Sequence, residues 1–210
     1  FVNTTTGAGN TTRNVSLTVN TVGNLVVASA EGLDSTGTAG GPFTPPSIVY
    51  TLTNANELKI VYTGTTDKTT ILNPTHHSYF NLSGDFTKTI LDHQLQLDAD
   101  RMTPVDKGLI TTGAMLDVAN TPMDFRTPAA IGARINDKFE QLQFGLGYDH
   151  NWVLNNFNST VKKAAEVYEP VSGRVMTVWT DQPGMQFYSG NFLNGSAKGK
   201  GTAYQHRTGL

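Results

Sequence analysis

The sequence predicts an all-β protein built as an antiparallel sandwich, and three observations carry that expectation. Short runs rich in β-branched and aromatic residues recur along most of the chain, separated by Gly, Pro and Asn turns. Little of the chain repeats its apolar residues at helical spacing, and one segment does so best. The chain has 210 residues, within the range of one large β-sandwich and enough to bury a substantial core. A single domain over 1–210 is expected, with residues 1–47 differing in texture from 48–210.

Thr, Asn, Gly and Ser dominate residues 1–47. Val15–Val19 and Leu25–Ala28 read there as strands joined by turns. Gly37 to Pro46 holds three Gly and three Pro and reads as a loop. From Ile48 the strand signals become steady. Ile48–Leu52 and Leu58–Thr63 flank Thr53-Asn54-Ala55-Asn56, a hairpin connection. Thr69–Leu72 leads into a histidine-bearing stretch, and Thr87–Leu97 alternates in part. Met123–Phe125 is strand-like. Pro128–Phe139 is the helical candidate, because Ile131, Ile135 and Phe139 recur at helical spacing and Pro128 suits a first turn. Trp152–Leu154, Ala164–Tyr168, Arg174–Trp179 and Met185–Tyr188 complete the strands. The Gly-rich run Gly195–Gly201 contains Lys198 and Lys200 but has no Gly-Lys-Ser/Thr ending, so it reads as a surface loop and not a phosphate cradle.

Composition excludes several functions. Charged residues make up 15% and the net charge is -2, which gives no basic footprint for nucleic acid and no polybasic membrane patch. No apolar run approaches the ~20 residues of a membrane-spanning helix. There is no cysteine, so disulfides, thiol catalysis and cysteine–metal sites are absent. His76 and His77 are adjacent and cannot both ligate one ion from a regular strand. His93, His150 and His206 have no recognisable metal spacing. No Gly-x-Ser-x-Gly elbow occurs. Asp100, Asp106, Asp149 and Glu169 could in principle form a glycosidase pair, but no motif groups them. Six Asn-x-Ser/Thr sequons occur, at Asn3, Asn10, Asn14, Asn81, Asn158 and Asn194. They fit either a secreted glycoprotein or chance in an Asn- and Thr-rich cytoplasmic chain. Asn81 lies inside a motif and is the least suited to carry a glycan.

Four long stretches hold the remaining information. The first is Asn73-Pro74-Thr75-His76-His77-Ser78-Tyr79-Phe80-Asn81-Leu82-Ser83-Gly84, and the second is Leu97–Asp106 running on to Thr112-Gly113. The third is Gly147-Tyr148-Asp149-His150-Asn151-Trp152-Val153-Leu154, and the fourth is Pro183-Gly184-Met185-Gln186-Phe187-Tyr188-Ser189-Gly190-Asn191-Phe192-Leu193. In this order they resemble the aldose 1-epimerases (galactose mutarotases), over roughly Ile48 to Leu210. The resemblance implies the galactose mutarotase-like supersandwich, with one or two short helices at most. It also implies interconversion of the α and β anomers of an aldohexose such as galactose or glucose, with no cofactor.

That reaction needs an acid at the ring oxygen and a base at the C1 hydroxyl. Histidine suits the acid role because its charge changes near neutral pH. By resemblance His77 is the acid, and Asp149 and Gln186 hold sugar hydroxyls. Read from residue type alone, each has a plainer role: a packed core histidine, a turn aspartate after Gly147, and a strand glutamine. His76 is expected to be structural or exposed, and His150 structural or a support behind the sugar-holding residues. Trp152, Tyr79 and Phe80 could stack on a sugar, although core packing suits each as well. The family's Asn-Arg and Leu-His-Gly-Gly elements have no counterpart here. Its basic glutamate, in a Cys-Leu-Glu-Thr-Gln-like strand, would follow Leu210. The chain is thus expected to hold part of a site. The alternative is a carbohydrate-binding or surface protein without turnover.

Overall fold

A computed structural model describes residues 15–20, 25–30, 43–66, 69 and 73–210. Asn3, Asn10, Asn14, Gly37–Pro42 and most of Thr69–Leu72 lie outside the described residues. The chain divides into two compact units, Phe1–His76 and His77–Leu210.

The first unit contains an antiparallel meander of β1 (Val15–Asn20), β2 (Leu25–Ala30), β3 (Phe43–Leu52) and β4 (Leu58–Thr66), in sequential order. The residues from Phe43 to Pro46, expected in a loop, belong to β3. The β3–β4 turn forms at the expected place. Asn56 takes a positive φ of 62° there, and the Thr53 hydroxyl accepts from the Ala55 and Glu57 amides.

The second unit is a two-sheet sandwich. Its strands are β5 (Gln94–Leu97), β6 (Arg101–Thr103), β7 (Leu116–Asp117), β8 (Ala129–Ala130), β9 (Asp149–Val153), β10 (Lys162–Tyr168), β11 (Val175–Thr180) and β12 (Gly184–Tyr188). One sheet has the order β11-β10-β5-β8 and the other β12-β9-β6-β7, and all pairings are antiparallel. A small hairpin, β13 (Lys198–Gly199) and β14 (Thr202–Ala203), spans the Gly-rich run. The Lys200 ammonium lies over the Phe86 ring at 4.3 Å, so this lysine is engaged within the fold.

Strand alternation builds the core between the two sheets. Leu95, Leu97, Ala165 and Val167 point inward from one sheet, and Met102, Trp152 and Phe187 from the other. Between them the rings of Phe125, Tyr148, Trp152 and Phe187 pack at centroid distances of 5.1 to 6.3 Å. Trp152 is fully buried, with its indole N–H donating to the Met123 carbonyl at 3.1 Å, which excludes it from sugar stacking.

The helix expected over Pro128–Phe139 does not form. Ala129–Ala130 pair with Gln94 and Leu95, and Ile131–Ala133 make one 3₁₀ turn. The amides of Ile131 and Gly132 donate across to the carbonyls of His93 and Leu91 instead of up a helix. Gly132 permits this approach, since a Cβ there would lie 2.9 Å from the Leu91 Cβ. Ile131 and Ile135 are nevertheless buried, so their spacing reports burial rather than helix. The α-helix, α1, starts later and is short (Glu140–Gly145). Its Gln141 side chain clamps the Val105 backbone, accepting from the amide at 2.7 Å and donating to the carbonyl at 3.0 Å. Two strand expectations also shrink: within Thr87–Leu97 only Gln94–Leu97 is strand, and Met123–Phe125 is turn and coil.

Asn81 is buried. Its amide donates to the carbonyls of Lys88 at 2.8 Å and Thr208 at 3.0 Å, and its oxygen accepts from the Ser83 amide and hydroxyl. This sequon therefore has no free nitrogen for a glycan. Asn158 and Asn194 are exposed, each accepting from an amide two residues on. No helix among the described residues is long and apolar enough to cross a membrane.

Two predictions follow from the buried polar groups. Asn81→Ala strands several buried partners and is expected to lower unfolding stability by about 3 kcal/mol, read by chemical denaturation. His150 is fully buried, and desolvation lowers its pKa to about 4, partly offset by the Gln141 backbone. The unfolded imidazole, ionising near 6.5, therefore takes up protons first. Stability from neutral His150 is complete above about pH 6.5, declines as pH falls toward 4, and levels off below; the whole span is worth about 3 kcal/mol. Desolvation of His93 acts in the same direction. Denaturation curves between pH 7 and 4 should slope less in His150→Gln; an unchanged slope would assign the effect elsewhere.

Candidate functional site

The candidate site lies on the second unit, and its base is the β9–β12 pair. In that ladder Tyr188 stands directly opposite Asp149, and Gln186 opposite Asn151. Side chains two apart on a strand share a face, so Asp149, Asn151, Gln186 and Tyr188 all point the same way, opposite to the buried His150, Trp152 and Phe187. Asp149 is half-buried, and its carboxylate accepts from the Gln186 amide at 2.9 Å. It is thus a strand residue, and the turn-aspartate alternative does not hold. Gln186 is exposed, which leaves its amide carbonyl open to a ligand.

The ends of these strands are held by a buried polar knot. The Asn191 amide donates to the carbonyls of Gly145 and Tyr148, both at 2.9 Å. The Ser189 hydroxyl accepts from the Tyr148 amide at 3.0 Å and donates to the Asn191 oxygen at 2.7 Å. Gly147 has φ +136°, and a Cβ there would meet the Asn191 oxygen at 2.3 Å, so this position requires glycine. His150 completes the anchor, its Nδ1 accepting from the Asp149 amide at 3.0 Å. It is buried and holds the Asp149 backbone.

His77 enters from a different direction. Residues 73–80 form no strand. His77 is exposed, while its neighbour His76 is half-buried, with its ring 5.9 Å from Tyr50. The imidazole of His77 meets the Tyr79 ring edge-on at 5.4 Å. Tyr79 in turn lies 5.5 Å from Tyr188, the residue opposite Asp149. Burial raises the pKa values of Tyr79 and Tyr188, and the Asp149 charge raises both further. The fold therefore links the three sequence-predicted residues: Asp149 and Gln186 directly, and His77 through Tyr79.

The rival carboxylates go elsewhere. Asp100 lies 3.5 Å from the Arg126 guanidinium. Asp106 accepts from the Gly108 and Ile110 amides, and Glu169 from those of Val171 and Ser172. Each serves a turn or an ion pair, and none is bonded to Asp149. Among the described residues no group of three His, Asp or Glu could hold a metal ion.

Sequence reading placed Tyr188 and Phe192 in the fourth motif but gave neither a role. The Tyr188 hydroxyl accepts from the Phe192 amide at 2.7 Å, and the two rings stack at 6.2 Å. One signal was available for Tyr188: it follows Gln186 by two residues and so shares its face in any strand.

Comparison with known proteins gives one answer. The sequence model described as aldose 1-epimerase matches residues 46–209. Galactose mutarotase of Mus musculus is 42% identical over 164 residues, covering 78% of this chain and 46% of the mouse protein. Aldose 1-epimerase of Escherichia coli is 37% identical over 150 residues, 71% of this chain and 43% of that protein. Among solved structures, a galactose 1-epimerase from Lactobacillus acidophilus superposes with a TM-score of 0.72 at 26% identity, over 94% of this chain and 55% of the other. An aldose epimerase homologue from C. elegans gives 0.76 at 25% identity, over 93% and 57%. The chain spans about half the length of the relatives it matches. The matched region starts where the steady strand signals start and contains all four motifs, and by this match the chain belongs to the aldose 1-epimerase family.

Proposed function

We propose that the protein interconverts the α and β anomers of a free aldohexose, with His77 as the acid and Asp149 and Gln186 as the hydroxyl-holding pair. The observation that carries this reading is the ring-to-ring link from His77 through Tyr79 to Tyr188, beside the Asp149–Gln186 hydrogen bond. The Asp149 carboxylate accepts from neighbouring sugar hydroxyls, and the Gln186 amide accepts through the oxygen its bond to Asp149 leaves open. With the ring so held, a general base, for which the family resemblance implies a glutamate that none of the residues assigned above supplies, takes the C1 hydroxyl proton while His77 gives a proton to the ring oxygen. The C1–O5 bond breaks, C1 becomes the aldehyde carbon, and the C1–C2 bond rotates. Closure on the other face runs the same transfers backwards, with neutral His77 taking the proton from O5. No net proton is consumed. Galactose or glucose is the expected substrate. Should the chain enter a glycosylating compartment, Asn158 and Asn194 are the described sequons open to modification.

Polarimetry on freshly dissolved α-D-galactose tests the reading. A form of the protein that also carries the general base is expected to speed the approach to anomeric equilibrium, and His77→Asn in that form to lower kcat by a factor of roughly 100 to 10,000 with a smaller change in KM. Asp149→Asn and Gln186→Leu are expected to raise KM more than they lower kcat. Wild-type-like turnover in His77→Asn would remove that residue from the acid role. Sugar binding by calorimetry without rate enhancement would make the protein a binder instead.

A further inference from the structure

An exposed imidazole on a segment without strand pairing has few means of keeping a productive orientation. Among the described residues, the group in ring contact with His77 is Tyr79. Tyr79 is itself fixed at three points. The backbone of the next residue is doubly bonded to Leu210, Phe80 N–H to the Leu210 carbonyl at 2.8 Å and Leu210 N–H to the Phe80 carbonyl at 2.9 Å. Gly209 packs so closely that a Cβ there would lie 2.9 Å from the Tyr79 Cβ. The ring rests 5.5 Å from Tyr188, which the Phe192 amide and ring hold in turn. A run of rings, Phe192–Tyr188–Tyr79–His77, thus connects the sheet to the imidazole.

We propose that Tyr79 is a positioning residue that sets the orientation of the His77 imidazole through its ring, not its hydroxyl. This rests on the reading of His77 as the acid. The edge-on geometry, with an interplanar angle of 63°, places one ring's positive edge toward the other's negative face, an arrangement that favours one relative orientation. Since proton transfer demands close alignment with the ring oxygen, freeing the imidazole lowers the fraction of bound complexes able to react. Affinity, set by Asp149 and Gln186, changes less.

The test compares Tyr79→Leu, Tyr79→Phe and His77→Asn by polarimetry, with thermal unfolding as the folding control. Tyr79→Leu is expected to lower kcat about 10- to 100-fold with KM nearly unchanged, and Tyr79→Phe to restore kcat to near wild type. A readout independent of turnover is the NMR signal of the His77 Cε1–H. It should lose its ring-current displacement in Tyr79→Leu and keep it in Tyr79→Phe. Unchanged kcat and an unchanged His77 signal in Tyr79→Leu, alongside a damaged His77→Asn, would overturn the positioning role alone. Equal losses in Tyr79→Phe and Tyr79→Leu would overturn the ring-based account and point to the hydroxyl. A silent His77→Asn would overturn both this inference and the acid assignment.

Discussion

The site depends first on the buried amide of Asn191. Its nitrogen carries two carbonyls from the α1–β9 connection, and its oxygen takes the Ser189 hydroxyl. Polar groups in such a place are costly unless they are paired, so one side chain commits the end of β12 to the start of β9. The register that follows puts Tyr188 opposite Asp149. A slip of one residue would turn Asp149 and Gln186 into the core and bring His150 and Phe187 to the surface.

A second buried amide does the same for the segment bearing the imidazole. Asn81 joins the carbonyls of Lys88 and Thr208, and Phe80 pairs with Leu210. These bonds place the backbone of residues 80–81, next to Tyr79. The contrast divides the site by rigidity. Asp149 and Gln186 sit on paired strands over an aromatic core, whereas His77 lies outside the strands and meets the Tyr79 ring. Asp149 and Gln186 on one hand and His77 on the other therefore draw on different kinds of support, hydrogen-bonded ladder on one side and aromatic packing on the other.

Much of this was legible in the sequence. The hairpin after Leu52 and the strands around Trp152, Val167, Val178 and Phe187 follow from β-branched runs between turn residues, a local signal. His77, Asp149 and Gln186 were singled out through motifs, since the physical chemistry of an isolated His or Asp does not separate a catalytic from a packed role. Asn81 was marked as unsuited to a glycan because of its place in a motif, and its hydrogen bonds supply the cause. The misread helix over Pro128–Phe139 shows the limit. Ile131 and Ile135 are buried, but a 3₁₀ turn followed by bends buries them as well as a helix would. The amides of Ile131 and Gly132 bond to residues some forty positions earlier in the chain, which no local pattern reveals.

By itself the sequence determined the strand-rich class, the family and the identity of the polar residues offered for chemistry, because alternation and motif are properties of neighbouring residues. The tertiary structure alone decided which groups meet. The joining of His77 to the Asp149 face through Tyr79 and Tyr188 spans segments more than a hundred residues apart. Such contacts arise only when closure of the sandwich brings distant strands into one register.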